Sequence, residues 1–376
     1  MFVFTIFQDD CTLKRLHNGG ILIVKSKTNT VQEGIIMTLS IGIIGLGFMG
    51  SDHVKRVATR LNGARLGGVA DLKKDLAEKY AKEYGAKVFD NGMDLIDSPD
   101  IDAVMVVTRP HETHEKFVIH AIEVGKFVFC EKPLTLTAAG CQKIIDAEVK
   151  GGKRLVQVGF MRRYDPGYIE MKKAIDSHEY GEPLLIHATH RNTAVDESYD
   201  TSMSIIETAI HEADVLHWLL GEDYDSGTTF LPKKQTKYTH SKLHDPQIIT
   251  LDTKSGVHID LEVFVNDQIG YDINCSVVCE DGIIDLESPQ VTSVKTNKLK
   301  RQTKIPVDCT ERFKVAYDHE LQNWVNDVAQ NKVTGPSSWD GLVAMVTCDA
   351  LAKSRDNNAE RVAIKLPDNK PALYND

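Results

Sequence analysis

Leu39-Ser40-Ile41-Gly42-Ile43-Ile44-Gly45-Leu46-Gly47-Phe48-Met49-Gly50 is the stretch on which the fold turns. Its first half is an apolar run of the kind a strand shows when both of its faces are buried in a parallel sheet. Its second half is G-x-G-x-x-G, and residues 48–61 read on as a helix. A glycine-rich turn by itself is common. Here a strand precedes it and a helix follows, and each glycine has a task. Gly45 permits the tight turn, Gly47 lets the backbone approach a pyrophosphate, and Gly50 lets helix and strand pack closely. The helix start, with Phe48 and Met49, supplies free N–H groups and a positive dipole end for phosphates. A second apolar run ends at Asp71, 21 residues beyond Gly50. An acid at that distance hydrogen-bonds the adenosine ribose and repels a 2′-phosphate, which favours NAD over NADP, although Lys73 and Lys74 lie close by. Ser51 occupies the position where a Walker A loop requires Lys, which argues against a nucleotide triphosphatase.

Outward from this unit the chain alternates helix and strand. Leu72, Leu76, Tyr80 and Tyr84 form one apolar helix stripe, residues 101–107 a strand, and 111–124 a helix. Strands at 126–130 and 155–158 flank a helix over 137–150 capped by Thr135 or Thr137. The alternation predicts a doubly wound parallel sheet, whose ligands bind beyond the strand carboxyl ends. Two such ends stand out, Thr108-Arg109-Pro110 and Glu131-Lys132-Pro133. A charged pair at a turn is usually a weak surface salt bridge. The position of Glu131 and Lys132, facing the cofactor crevice, gives them a functional reading, and a cis bond at Pro133 would fix the direction of Lys132.

From Phe160 onward the period changes. Val257, Ile259, Leu261, Val263 and Val265 alternate with mostly polar residues, as do Tyr271, Ile273, Cys275, Val277 and Cys279. Phe313, Tyr317, Leu321, Trp324 and Val328 form a helix stripe, and Gly335-Pro336-Ser337-Ser338 signals another helix. The expected fold is α/β: an N-terminal Rossmann sheet followed by an α+β region with a large, mostly antiparallel open sheet. The outer face of that sheet is expected to be apolar and therefore covered in a homo-oligomer. Residues 205–221 read as one helix ending at Gly221, in which Glu207, His211 and Asp214 share a face. A His with a carboxylate one turn away is a ready general base. Taken alone, His211 would read as a core histidine with Glu207 as its helix partner. The cofactor site upstream shifts the reading to catalysis. A metal is not expected, because H-E-x-x-H fails at Val215. His217 lies off the shared face and reads as structural.

The 376 residues, with 26% charged and 42% apolar, describe an ordinary globular chain of about two domains. No apolar run approaches the roughly 20 residues that span a bilayer. A net charge of −10 makes nucleic acid a poor partner. Seven scattered cysteines without C-x-x-C point to reduced thiols in a cytoplasmic protein. Residues 1–36 show no sustained period and lack a signal-peptide pattern. Gln32-Glu33-Gly34 back-translates to a purine-rich run resembling a ribosome-binding site, so the native start is expected at Met37 and residues 1–36 as a disordered or non-native extension. The expected domains are 37–160, binding the dinucleotide, and 161–376, binding substrate and forming the oligomer.

The combination of Gly45-x-Gly47-x-x-Gly50, Glu131-Lys132-Pro133 and Glu207-x-x-x-His211-x-x-Asp214 resembles the Gfo/Idh/MocA oxidoreductases. The runs 129–134, 155–165 and 211–219 look like those of its inositol-oxidising members. The resemblance covers the chain from about Leu39 to the C-terminal region. It implies NAD-dependent oxidation of myo-inositol to scyllo-inosose, with D-chiro-inositol as a further substrate, in a cytoplasmic homotetramer. It maps catalytic roles onto Lys132, Glu207 and His211. The family carries Asp where this chain has Glu207, a side chain one methylene longer. Substrate contacts are implied for Lys132, Met161, Arg162, His190, Asn192, Glu207, His211 and Tyr271, and cofactor contacts for Thr108, Glu131 and Lys132 beside the glycine turn and Asp71. The alternatives are a dehydrogenase of another polyol or aldose such as glucose, or a sensor that binds dinucleotide and sugar without turnover.

Overall fold

The computed structural model describes residues 38–287, 293–295 and 301–375, and the backbone of 11–15 and 21–25. Near the N-terminus β1 (Cys11–Arg15) pairs antiparallel with β2 (Ile21–Lys25), a strand pair the sequence reading did not anticipate. The rest of the expected 1–36 extension lies outside the described residues.

The apolar run 39–44 forms β3 (Leu39–Ile44), buried along its whole length. It is joined by β4 (Ala64–Ala70), β5 (Lys87–Val88), β6 (Ala103–Val106), β7 (Phe127–Glu131) and β8 (Val156–Gly159). The order is β5-β4-β3-β6-β7-β8, every pair parallel. The direction of winding reverses between β3 and β6, so their carboxyl ends open the crevice where a ligand sits. The connections are α1 (Phe48–Thr59), α2 (Lys74–Tyr84), α3 (Gly92–Asp97), α4 (His114–Glu123) and α5 (Ala138–Gly151). Thr137 caps α5 by accepting the Gly140 N–H, as one of the two expected caps. The α2 stripe is shorter than the sequence pattern implied. The helix starts at Lys74, which leaves Leu72 outside it and 95% exposed.

After α6 (Pro166–Asp176) comes a mixed sheet of seven strands: β9 (Pro183–Arg191), β10 (Tyr224–Phe230), β11 (Gln247–Thr253), β12 (His258–Phe264), β13 (Asp272–Cys279), β14 (Ile283–Asp285) and β17 (Val362–Ala363). Its order is β14-β13-β9-β12-β11-β10-β17, antiparallel except where β9 meets β12. A separate two-strand pair, β15 (Val294–Lys295) and β16 (Arg301–Gln302), lies outside it. Ile186, Ala188, Ile259, Leu261, Val263, Ile273, Cys275 and Val277 fill the inner face. The outer face departs from the apolar one expected. It carries His187 on Asp260, and Arg191 on Glu262 and Asp272. Strand alternation puts every second residue outward, and here those residues mix charged and polar side chains with a few apolar ones such as Leu185 and Ile248.

The helices that follow, α7 (Ile210–Leu220), α8 (Cys309–Arg312), α9 (Lys314–Ala329) and α10 (Ser338–Asp356), join the two sheets. The stripe residue Trp324 of α9 stacks edge-on against Phe129 of β7, with ring centroids 5.9 Å apart. Ser337 and Asp340 form a capping box at the start of α10. Beneath it Glu148 of α5 is fully buried and accepts from Leu155 N–H at 2.6 Å, Val156 N–H at 2.9 Å, the Tyr374 hydroxyl at 2.7 Å and the Ser338 hydroxyl. One carboxylate thus joins α5, β8, α10 and the C-terminal segment. No helix among the described residues is long and apolar enough to cross a membrane.

Removing an acceptor that serves four buried donors leaves each unsatisfied. Glu148→Ala is therefore expected to lower unfolding free energy by about 3–5 kcal/mol. Urea denaturation checks this, and Glu148→Gln, which keeps an acceptor oxygen, should lose less.

Candidate active site

The glycine turn lies where the parallel sheet opens. Gly45 has φ +91°, and a Cβ there would stand 2.6 Å from the Val107 carbonyl oxygen, so only glycine fits. A Cβ at Gly50 would collide with the Gly45 carbonyl oxygen, the close helix–strand approach expected of the third glycine. Gly47 differs: a Cβ there would meet nothing within 4 Å. Protein packing does not demand glycine at that position. A pyrophosphate drawn against the backbone would use the open space, so the residues fit a dinucleotide. Phe48 is exposed at the helix start and Met49 is half-buried.

Asp71, at the end of β4, accepts from the Leu46 N–H at 2.6 Å and from the Lys73 N–H at 2.8 Å. It braces the glycine turn as well as standing at the ribose position. Thr108 ends the stretch after β6, and Lys132 directly follows β7 and precedes a cis Lys132–Pro133 bond. A residue the sequence reading did not single out ties these turns together. His114 is buried, with its ring nitrogens 2.9 Å from the carbonyl oxygens of Thr108 and Pro133.

The Glu131 carboxylate is engaged within the protein. It lies buried, 2.7 Å from His53 Nε2, and also accepts the Lys132 N–H at 3.2 Å. Burial pushes its pKa up, but the His53 contact and Lys132 more than offset this, so it stays below the ordinary carboxylate value. As a cofactor contact the side chain of Glu131 is therefore corrected. It anchors the strand end from which Lys132 projects.

Lys132 Nζ donates to the Glu207 carbonyl oxygen at 2.8 Å. Glu207 lies in a π-helical turn, Ser204–Ala209, that leads into α7. The wider turn breaks the 3.6-residue period. Glu207, His211 and Asp214 consequently do not act as one cluster. The Glu207 carboxylate reaches Arg109 Nη2 at 3.2 Å and lies 3.6 Å from His111 Nε2. Burial raises its pKa, but His111, Lys132 and Arg109 together hold it below the ordinary value. Asp214 pairs with Arg163, which also binds Asp340 at 3.0 Å. His217 contacts Asp223 at 3.1 Å, the structural role expected of it.

His211 is 7% exposed, and its Nδ1 is buried without a hydrogen-bond partner among the described residues. Burial, then the positive charges of Lys132 and Arg162, hold its pKa well below the ordinary imidazole value. Its ring lies 6.0 Å from that of His190, which in turn packs 5.6 Å from Tyr271. Arg162 and Met161 follow β8 in a buried 3-10 turn, and Arg162 pairs with Glu212. Asn192 sits just past β9, with its Oδ1 buried and unpartnered among the described residues. The structure thus gathers Lys132, Glu207, His211, His190, Arg162 and Tyr271 on one wall. Sequence reasoning missed Arg109, His111 and Glu212. Arg109 had been quoted at a strand end, and Glu212 stands next to His211, but neither has its partner nearby in sequence.

A dinucleotide turn faced by a lysine and a buried imidazole defines an oxidoreductase of the Rossmann class. Residues 39–160 match the oxidoreductase family with an NAD-binding Rossmann fold, and residues 172–364 match that family's C-terminal alpha/beta domain. The chain belongs to this Gfo/Idh/MocA family. It is 48% identical over 342 residues to inositol 2-dehydrogenase of Serratia proteamaculans, covering 90% of this chain and 100% of that one. It is 48% identical over 341 residues to inositol 2-dehydrogenase of Burkholderia cenocepacia, covering 90% and 99%. Among solved structures, myo-inositol dehydrogenase from Lactobacillus casei, in complex with NAD(H) and myo-inositol, superposes with a TM-score of 0.86. It shares 37% identity and covers 90% of this chain and 100% of that one.

The two glycines that differ in surroundings make a paired test. Gly47→Ala should lower the thermal midpoint by no more than about 4 °C and weaken NAD binding about tenfold or more, roughly 1.4 kcal/mol. Gly50→Ala should unsettle the fold itself. Calorimetric titration with NAD and thermal denaturation separate the two.

Proposed function

We propose that this chain oxidises myo-inositol to scyllo-inosose with NAD, and D-chiro-inositol as a second substrate, with His211 as general base. The observation that carries the reading is the meeting of Lys132, Glu207 and His211 on one wall beyond the carboxyl ends of the parallel strands, beside the glycine turn. The identities to inositol 2-dehydrogenases support the substrate class.

NAD, when bound, supplies the acceptor for the hydride that leaves the substrate carbon. The protein's residues do the rest. His211 is held neutral by burial, so its ring is ready to take the hydroxyl proton. Nδ1 is enclosed, which leaves Nε2 to meet the substrate. Lys132 Nζ stabilises the negative charge that develops on the substrate oxygen. Glu207 holds Lys132 through its carbonyl oxygen and adds a carboxylate charge to the same wall. Its role is thus on Lys132, not as the hydrogen-bond partner of His211. Arg162, His190, Asn192 and Tyr271 bind the remaining hydroxyls, with Met161 beneath them. Asp71 selects NAD over NADP, and Phe48, Met49 and Thr108 line the cofactor side. The same reading makes the enzyme a cytoplasmic homotetramer.

The test is NADH formation across a panel of inositol isomers and aldoses, each with NAD and with NADP. Rapid turnover of myo-inositol with NAD is expected. His211→Ala should lower kcat by about 10²–10⁴-fold. Unchanged turnover in that variant removes His211 from the mechanism, and no reduction with any polyol in the wild type overturns the activity.

A further inference from the structure

Glu212 is buried beside residues assigned to the polyol, and both of its oxygens are engaged. Oε1 pairs with Arg162, and Oε2 lies 2.9 Å from His190 Nδ1. The same Nδ1 lies 3.1 Å from Arg162 Nη2. These two contacts make opposite demands on one nitrogen. A guanidinium only donates, so it needs a lone pair on Nδ1. A carboxylate only accepts, so it needs a proton there. A neutral imidazole satisfies one of them and sets Nε2 to the opposite state.

Glu212 has the stronger claim. Its contact is the shorter of the two, 2.9 Å against 3.1 Å. Burial raises the Glu212 pKa, but Arg162 and His190 bring it below the ordinary carboxylate value. Arg162 also has a partner already, through Nη1 on Glu212 itself, while Nδ1 has no other carboxylate within reach among the described residues. The guanidinium is further held over the Phe313 ring, 5.4 Å from its centroid. His190 Nε2 makes no hydrogen bond among the described residues, and the ring it belongs to packs against His211 and Tyr271. With Nδ1 tied to Glu212, Nε2 points away from that carboxylate.

We propose that Glu212 is a positioning residue that holds His190 in its Nδ1–H tautomer, so that Nε2 offers a lone pair to a polyol hydroxyl neighbouring the one His211 deprotonates. This rests on the polyol-oxidising reading above and deepens it. The substrate it selects is a vicinal diol, with one hydroxyl oxidised at His211 and its neighbour donating to His190. Glu212 touches neither substrate nor cofactor and acts through the imidazole.

Glu212→Gln is the informative variant. Arg162 requires an acceptor, which turns the amide oxygen toward it and the amide NH₂ toward His190. That NH₂ can only donate, so Nδ1 becomes the acceptor and the proton moves to Nε2. The donor–acceptor match to the polyol is reversed with little change in shape. The KM for myo-inositol is expected to rise about 10–100-fold, with kcat changed much less and the Kd for NAD within about twofold. A purely structural role would not separate these quantities. Neutron diffraction from deuterium-exchanged crystals of the wild-type enzyme reads the tautomer directly, and a deuteron on His190 Nδ1 is expected. A deuteron on Nε2 alone, or a Glu212→Gln enzyme with wild-type KM, overturns the proposal. Should that variant fail to fold, the wild-type neutron map still decides. If the wild type reduced NAD with no polyol, the activity reading would fail, while the deuteron position would still judge the tautomer.

Discussion

The bond from Lys132 Nζ to the Glu207 carbonyl oxygen spans the crevice, and the geometry of the site depends on it. Lys132 belongs to the end of a parallel strand, while Glu207 belongs to a helix packed on the other sheet. Each end of the bond is fixed from behind. The peptide of Lys132 is held by Glu131, whose carboxylate is held by His53. Glu207 is held a second time through its carboxylate by Arg109, from the loop after β6. One residue of the second half is therefore gripped by two strand ends of the first, through its backbone and its side chain.

Much of this was legible in the chain because it rests on local rules. A strand, the glycines of the turn and the start of a helix within twelve residues can be read without neighbours, and so can an acid at the ribose distance or a helix start at Gly335-Pro336-Ser337-Ser338. The half-buried strands from Val257 to Cys279 were equally plain, since alternation is a property of consecutive residues. What was not legible lay in partners far apart in sequence. Glu131 meets His53 across 78 residues and Glu212 meets Arg162 across 50, and no spacing rule links them. The reading of Glu207, His211 and Asp214 as one face failed for a different reason. It assumed an unbroken α-helical period, and a single wider turn before Ile210 rotates Glu207 out of it. The outer sheet face was misjudged although the residues alternating with the inward ones read as mostly polar, because those are the residues that strand geometry turns outward.

The electrostatics of the wall give the proposed mechanism its direction. His211 faces Lys132 and Arg162, two cations, with no carboxylate hydrogen-bonded to it among the described residues. In the resting site protonation of this ring is opposed by burial and by both charges, so the base stays free. Glu212 and Glu207 balance the cations, but their carboxylates are bonded elsewhere, the first to Arg162 and His190 and the second to Arg109. The opposition is relieved only when a negative charge appears between Lys132 and His211. A substrate oxygen losing its proton is such a charge. It neutralises the lysine and, at close range in a poorly solvated site, favours the imidazolium that has just formed. A stray proton from water brings no anion with it and gains no such compensation. In the proposed mechanism the arrangement thus ties protonation of His211 to the arrival of the oxygen that gives up the proton, which a carboxylate bonded directly to the ring would not do, since it would favour imidazolium at all times.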